Sequence, residues 1–190
     1  MAIQINGDGT ITGISVGGLP DGIVDTDMLA ANAVSSAKLV SGAGGKVLQV
    51  VHASYGPTTT NTTTSYADTG LTASITPSSS SNKIQIQVYQ PYRLGRSNAS
   101  DVSGAIQIYR SQSGTNTAVT SNAGYLLYHD MGASMTGVYF YNAYNVTVQD
   151  SPNTTSAVTY VTKARTYSSN SDIKTQYNGT SYITLMEIAA

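Results

Sequence analysis

The sequence predicts an all-β protein, and three observations predict it. Only 10% of its 190 residues are Asp, Glu, Lys or Arg, against about 25% in an average soluble domain. The good surface helix formers Glu and Lys are nearly missing, and Glu187 is the single Glu. Polarity comes instead from Ser, Thr, Asn, Gln and Gly, beside 14 Tyr, one Phe and no Trp, a set divided between strand formers and turn formers. From Lys46 onward the apolar residues recur with period two, and Gly, Ser and Asn clusters separate the runs.

Along the chain, residues 1–45 read as an N-terminal arm. Ile3 and Ile5 alternate with polar neighbours. Asn6-Gly7-Asp8-Gly9 is a strong turn signal, and Thr10 to Val16 can be extended again. After a break at residues 17–22, Asp25 or Thr26 caps a short helix with Met28, Leu29, Ala33, Val34 and Ala37 on its apolar stripe. So short a helix is marginal alone and needs a partner surface. Ser41-Gly42-Ala43-Gly44-Gly45 is a flexible linker.

Residues 46–190 read as a β-sandwich or jelly-roll head. Leu71, Ala73 and Ile75 alternate with Thr72, Ser74 and Thr76. Ile84, Ile86 and Val88 alternate with Gln85, Gln87 and Tyr89. Both are half-buried strands, parted by Pro77 and the Ser78–Asn82 loop. Further strands are expected at Val47–Ser54, Gly104–Arg110, Tyr125–His129, Val138–Val148, Val158–Thr166 and Tyr182–Ile188. Many alternating positions hold Ala, Thr or Ser, which predicts a core completed in part by subunit contacts. Tyr139, Tyr141 and Tyr144 suit a role in which the ring packs and the hydroxyl meets a polar partner.

The composition restricts function. A net charge of −1 gives no footprint for nucleic acid or an anionic membrane. No run approaches the roughly 20 apolar residues of a membrane span. The absence of Cys removes disulfides and thiol chemistry. The start MAIQINGDGTITG has no basic region followed by an apolar run, so no export signal is read. That combination suits a virion part assembled inside a host and released by lysis.

Three motif matches are weak, and the scattered His and Asp residues form no motif. Gly13-Ile14-Ser15-Val16-Gly17 fits a nucleophile elbow, but no helix follows directly and no α/β pattern surrounds it. Asn6-x-Asp8-Gly9 resembles the middle of a calcium loop, yet Gln4 and Ser15 stand where anionic ligands are needed. Residues 42–47 lack the first Gly and the magnesium-holding hydroxyl of a phosphate loop. His52 and His129 have no ligand-spaced partners, and Asp68, Asp101, Asp130, Asp150 and Asp172 lie mostly in turn-like contexts. No catalytic residue, cofactor or metal site is expected.

The start, AIQINGDGTITGISVGGLPDGIVDTDMLAANAVSSAKL, resembles the N-terminal segments of fibre and other virion proteins of marine tailed phages, especially those of cyanobacteria. SYADTGLTASITPSSSSNKIQI, QDSPNTTSAVTY and the closing SYITLMEIAA are similar to a small β-domain at the C-terminal ends of those proteins. The resemblance covers most of the chain. It implies a homotrimeric appendage on the virion exterior, with a jelly-roll-like head of the kind seen in C1q- and tumour-necrosis-factor-like trimers, and it implies no catalytic residues. The chain is short for a tail fibre and has no long repetitive shaft, which raises a decoration role on capsid or tail. Docking on other virion proteins is expected through Ile3, Ile5, Ile11, Met28, Leu29, Val34 and Leu39. The alternative is a receptor-binding protein that recognises a host surface glycan through Tyr125, Tyr128, Tyr139 and Tyr141. No nucleic-acid partner or membrane insertion is expected.

Overall fold

A computed structural model describes residues 4–5, 11–12, 34, 46–96, 102–120, 127–129 and 137–190. The chain divides into two units, Met1–Gly45 and Lys46–Ala190. In the first, β1 (Gln4–Ile5) and β2 (Ile11–Thr12) pair antiparallel, Ile5 opposite Ile11. Val34 is half exposed. The expected helix after Asp25, and with it Met28, Leu29 and Leu39, lies outside the described residues, as does Ile3.

The second unit is all-β among its described residues. Its strands are β3 (Val47–Tyr55), β4 (Thr59–Asn61), β5 (Ala67–Ile75), β6 (Lys83–Arg96), β7 (Val102–Gln112), β8 (Thr115–Ala118), β9 (Leu127–His129), β10 (Tyr139–Asp150), β11 (Val158–Thr166), β12 (Ser171–Thr175) and β13 (Ser181–Ile188). The antiparallel pairs nest: β3 with β13, β5 with β11, β6 with β10 and β7 with β8. The chain therefore folds like one long hairpin whose paired arms roll up together, with successive arms falling in alternate sheets. That is a jelly roll. One sheet holds β3, β13, β6, β12, β4 and β10, and the other holds β5, β11, β7, β8 and β9.

Strand β6 is the spine of the first sheet. One of its edges pairs with β10 from Ile84 to Gly95. Its other edge pairs with β13 up to Tyr89 and with β12 from Tyr92. Pro91 falls in the interval between these two ladders, where a missing N–H costs little. The sequence alternation stops at Tyr89, but the strand continues past Pro91 to Arg96. Three strands, β4, β8 and β12, carry no apolar alternation and were not expected. β8 follows a two-residue loop, Ser113-Gly114, with φ of 50° and 80°, the backbone that a tight hairpin requires.

The two sheets bury Leu71, Ile75, Ile84, Ile86, Val88, Leu94, Ile106, Ile108, Val158, Ile183 and Leu185 between them. This core is richer in large aliphatic side chains than the Ala, Thr and Ser content predicts, because almost every Ile and Leu of the strands faces inward. Each large aliphatic so buried contributes about 1.5–3 kcal/mol. Tyr144 is buried on the inner face, while Tyr139 and Tyr141 point outward. Burial raises the phenol pKa of Tyr92 and Tyr144.

One end of the sandwich is shut by two polar clamps. Glu187 of β13 and Asp150 of β10 stand on either side of Ile84 in register. Glu187 accepts from Asn82 Nδ2 (2.7 Å), Gln49 Nε2 (2.6 Å), and Ser78 N and Oγ (2.7 and 2.8 Å). Burial pushes its pKa up, but these donors outweigh it and hold the carboxyl down at about 2. Asp150 accepts from Arg110 Nη1 through both oxygens (3.0 and 2.9 Å) and from the buried Tyr160 hydroxyl (2.8 Å). The turn-like reading of the aspartates is thereby corrected for three of them. Asp68, Asp150 and Asp172 lie in strands, ion-paired with Lys163, Arg110 and Arg93 respectively. A short polar side chain in a strand is locally indistinguishable from one in a turn; the cross-strand cation decides its place.

Candidate functional site

Alternation sends one half of each strand's side chains away from the core, and the two outer faces differ in kind. Every exposed large hydrophobic residue described in the second unit belongs to the first sheet: Val47, Leu48 and Val50 on β3, Tyr89 on β6, Tyr139 and Tyr141 on β10, and Tyr182 on β13. The central rows of this face follow from the registers. Val50, Met186, Gln85 and Gln149 form one row; His52, Thr184, Gln87 and Thr147 the next; Ser54, Tyr182, Tyr89 and Asn145 the third. These twelve residues include no Asp, Glu, Lys or Arg. His52 Nδ1 lies 2.9 Å from Thr184 Oγ1, and its ring stacks on Tyr182 at 5.7 Å. Tyr182 in turn stacks near Tyr89 at 6.5 Å.

The face ends in an aromatic and ionic cluster where β10, β6 and β12 run together. Arg93 is ion-paired with Asp172. Its guanidinium lies 4.5 Å from the Tyr139 ring centroid and 5.4 Å from that of Tyr177, close enough for cation–π attraction. Tyr141 is 61% exposed and packs against Tyr177 at 5.6 Å.

The structure brings together two of the four tyrosines proposed for receptor contact. Tyr139 and Tyr141 share the outer face of the first sheet. The backbone of Tyr128 lies in β9 of the other sheet, opposite Ser103, and Tyr125 lies outside the described residues. The sequence reading missed Tyr89, Tyr177, Tyr182, Arg93 and the exposed β3 aliphatics as members of a common face. Their alternation was visible: Tyr89 shares parity with Gln85 and Gln87. What no local signal supplied was the pairing that lays β3, β13, β6 and β10 side by side. The nucleophile-elbow and calcium-loop matches, and the Asp101 and Asp130 carboxylates, lie outside the described residues.

No family model matches the chain, and no curated protein matches it. Among solved structures, a chain in the structure of infectious bursal disease virus Gt strain is similar, at 13% identity and a TM-score of 0.30, over 75% of this chain and 38% of that one. This chain thus spans little more than a third of that chain's length.

Proposed function

We propose that the protein is a structural component of a virus particle, carried on its exterior as a homotrimer whose subunits meet through the outer face of the first sheet. The observation that supports this most directly is that all exposed large hydrophobics among the described residues of the second unit belong to that sheet, around rows that carry no formal charge. Water-exposed sheet faces ordinarily carry charge, whereas subunit contacts are depleted of it and enriched in Tyr. The size fits as well. The four strands run side by side over the eight residues of β13; at about 3.4 Å rise and about 4.8 Å spacing this gives roughly 520 Å², the greater part of the ~800 Å² a partner commits to a stable interface. The number three comes from the resemblance to trimeric phage appendages. In this reading residues 1–45 attach the head to capsid or tail, with Ile3, Ile5, Ile11, Met28, Leu29, Val34 and Leu39 as the contacts.

Sedimentation velocity of the full chain at 10 µM should give three times the chain mass. Deletion of residues 1–40 should leave the head folded and assembled but absent from particles. A compact monomer, or particles that incorporate the truncated chain normally, would defeat this reading. The alternative, glycan recognition through Tyr139 and Tyr141, competes for the same surface, because a face covered by other copies is closed to a sugar.

A further inference from the structure

The outer face of the second sheet holds an open groove of about 360 Å³. Asp68 and Thr72 of β5, Thr159 and Lys163 of β11, Ser111 of β7 and Asn116 of β8 line it, and Val161 is its apolar floor. Tyr109 follows Val161 in the same row and lies 5.5 Å from Lys163 Nζ.

A backbone irregularity builds the groove. β5 pairs with β11 at Thr72 opposite Val161 and again at Asp68 opposite Lys163. Three residues of β5 (Thr69, Gly70 and Leu71) thus face a single Thr162. Such a bulge bends a strand and re-aims its side chains. Gly70 takes a φ of +87°, and a Cβ there would collide with the Tyr55 ring. The bulge is pinned from beneath by buried polar groups: Gln90 Nε2 donates to Thr69 Oγ1 (2.8 Å), and the hydroxyls of Thr69 and Thr162 are hydrogen-bonded. Gln90 is fully buried beside Val88, Tyr92 and Tyr144, a placement that its hydrogen bond to Thr69 offsets. Its effect is to present Asp68, with a side chain 64% exposed, beside Lys163 at 2.7 Å.

We propose that this groove binds a short segment of a neutral saccharide. One carboxylate, one ammonium, one amide and three hydroxyls match the donors and acceptors of adjacent sugar hydroxyls, and Val161 suits the apolar face of a pyranose ring. The Asp68–Lys163 pair is internally neutral, so an anionic sugar gains no net attraction. The inference shares with the receptor-binding alternative only the class of ligand and uses a different site; it is independent of the trimer, since the groove lies on the sheet opposite the proposed subunit face.

The test uses the full chain in saturation-transfer NMR with neutral gluco-, galacto- and manno-oligosaccharides, and with sialylated and uronate oligosaccharides in parallel. At least one neutral series should bind. The exposed-site variants Asp68→Ala and Asn116→Trp should weaken that binding at least tenfold while unfolding at the wild-type temperature. Tyr141→Ala should leave it unchanged, and so should Val50→Asp, even if that variant is monomeric. The proposal is overturned if no neutral oligosaccharide binds at 10 mM, if only acidic ones bind, or if Tyr141→Ala abolishes binding while the groove variants do not.

Discussion

At the scale of single residues, the one Glu of the sequence carries a burden that composition hides. Glu187 is fully buried yet charged, because four hydrogen bonds from Asn82, Gln49 and Ser78 replace its water. Its folded pKa of about 2 lies below the ordinary 4.5. A depressed carboxyl adds stability that is fully present above the unfolded value and is lost as pH falls through the folded one. The melting temperature should therefore drop between about pH 4.5 and pH 2. In Glu187→Gln the contribution of this residue to that drop should vanish. The same variant should cost about 1.5–3 kcal/mol at pH 7, as expected for charge-assisted bonds lost from a buried site. Urea unfolding of both proteins at pH 7 and pH 3 measures this. An equal loss at both pH values would show that the carboxylate is not held ionised by its donors.

Among elements, the β5 bulge concentrates local conflict. Gly70 sits with positive φ under the Tyr55 ring, so Gly70→Ala combines a left-handed backbone with overpacking and should cost about 2–4 kcal/mol. A urea midpoint unchanged from wild type would mean that the bulge yields freely. This element also marks the limit of what the sequence discloses. Leu71, Ala73 and Ile75 announce half a strand by period two, and the strand runs on to Ala67 only because Thr69 and Gly70 are accommodated by Gln90 and Tyr55 from elsewhere. Val158–Thr166 was legible in full, since both its edges pair and its parity never breaks. Thr59–Asn61, Thr115–Ala118 and Ser171–Thr175 were not legible. They are short, polar and held by neighbours: Ile173 alone is a large buried aliphatic among them. The groove was invisible for the same reason, because Asp68, Ser111, Asn116 and Thr159 come from four strands whose juxtaposition follows from the roll and not from spacing.

For the whole molecule, the decisive feature is the difference between its two outer surfaces. The second sheet presents Asp68, Lys163 and Arg165 with Tyr66, Tyr109 and Tyr167 around the cations, a surface suited to water. The first sheet presents aliphatics, Tyr and uncharged amides over its central rows. A chain with few ions to spend has placed almost none at the centre of one broad face, which is the pattern expected when copies of that face are mutually buried. Val50 is a sensitive position to probe, being 58% exposed in the row that joins Met186 and Gln85. Val50→Asp changes nothing in the core, so the monomer fold should keep its far-ultraviolet dichroism. In an assembly it would bury an unpaired carboxylate in a desolvated contact, at a cost of several kcal/mol, and raise the dissociation constant by at least about 100-fold. Sedimentation at 10 µM should then show monomer in place of the trimer proposed for the wild type. An unaltered trimer would mean that the copies meet elsewhere, and the uncharged face of the first sheet would need a different occupant.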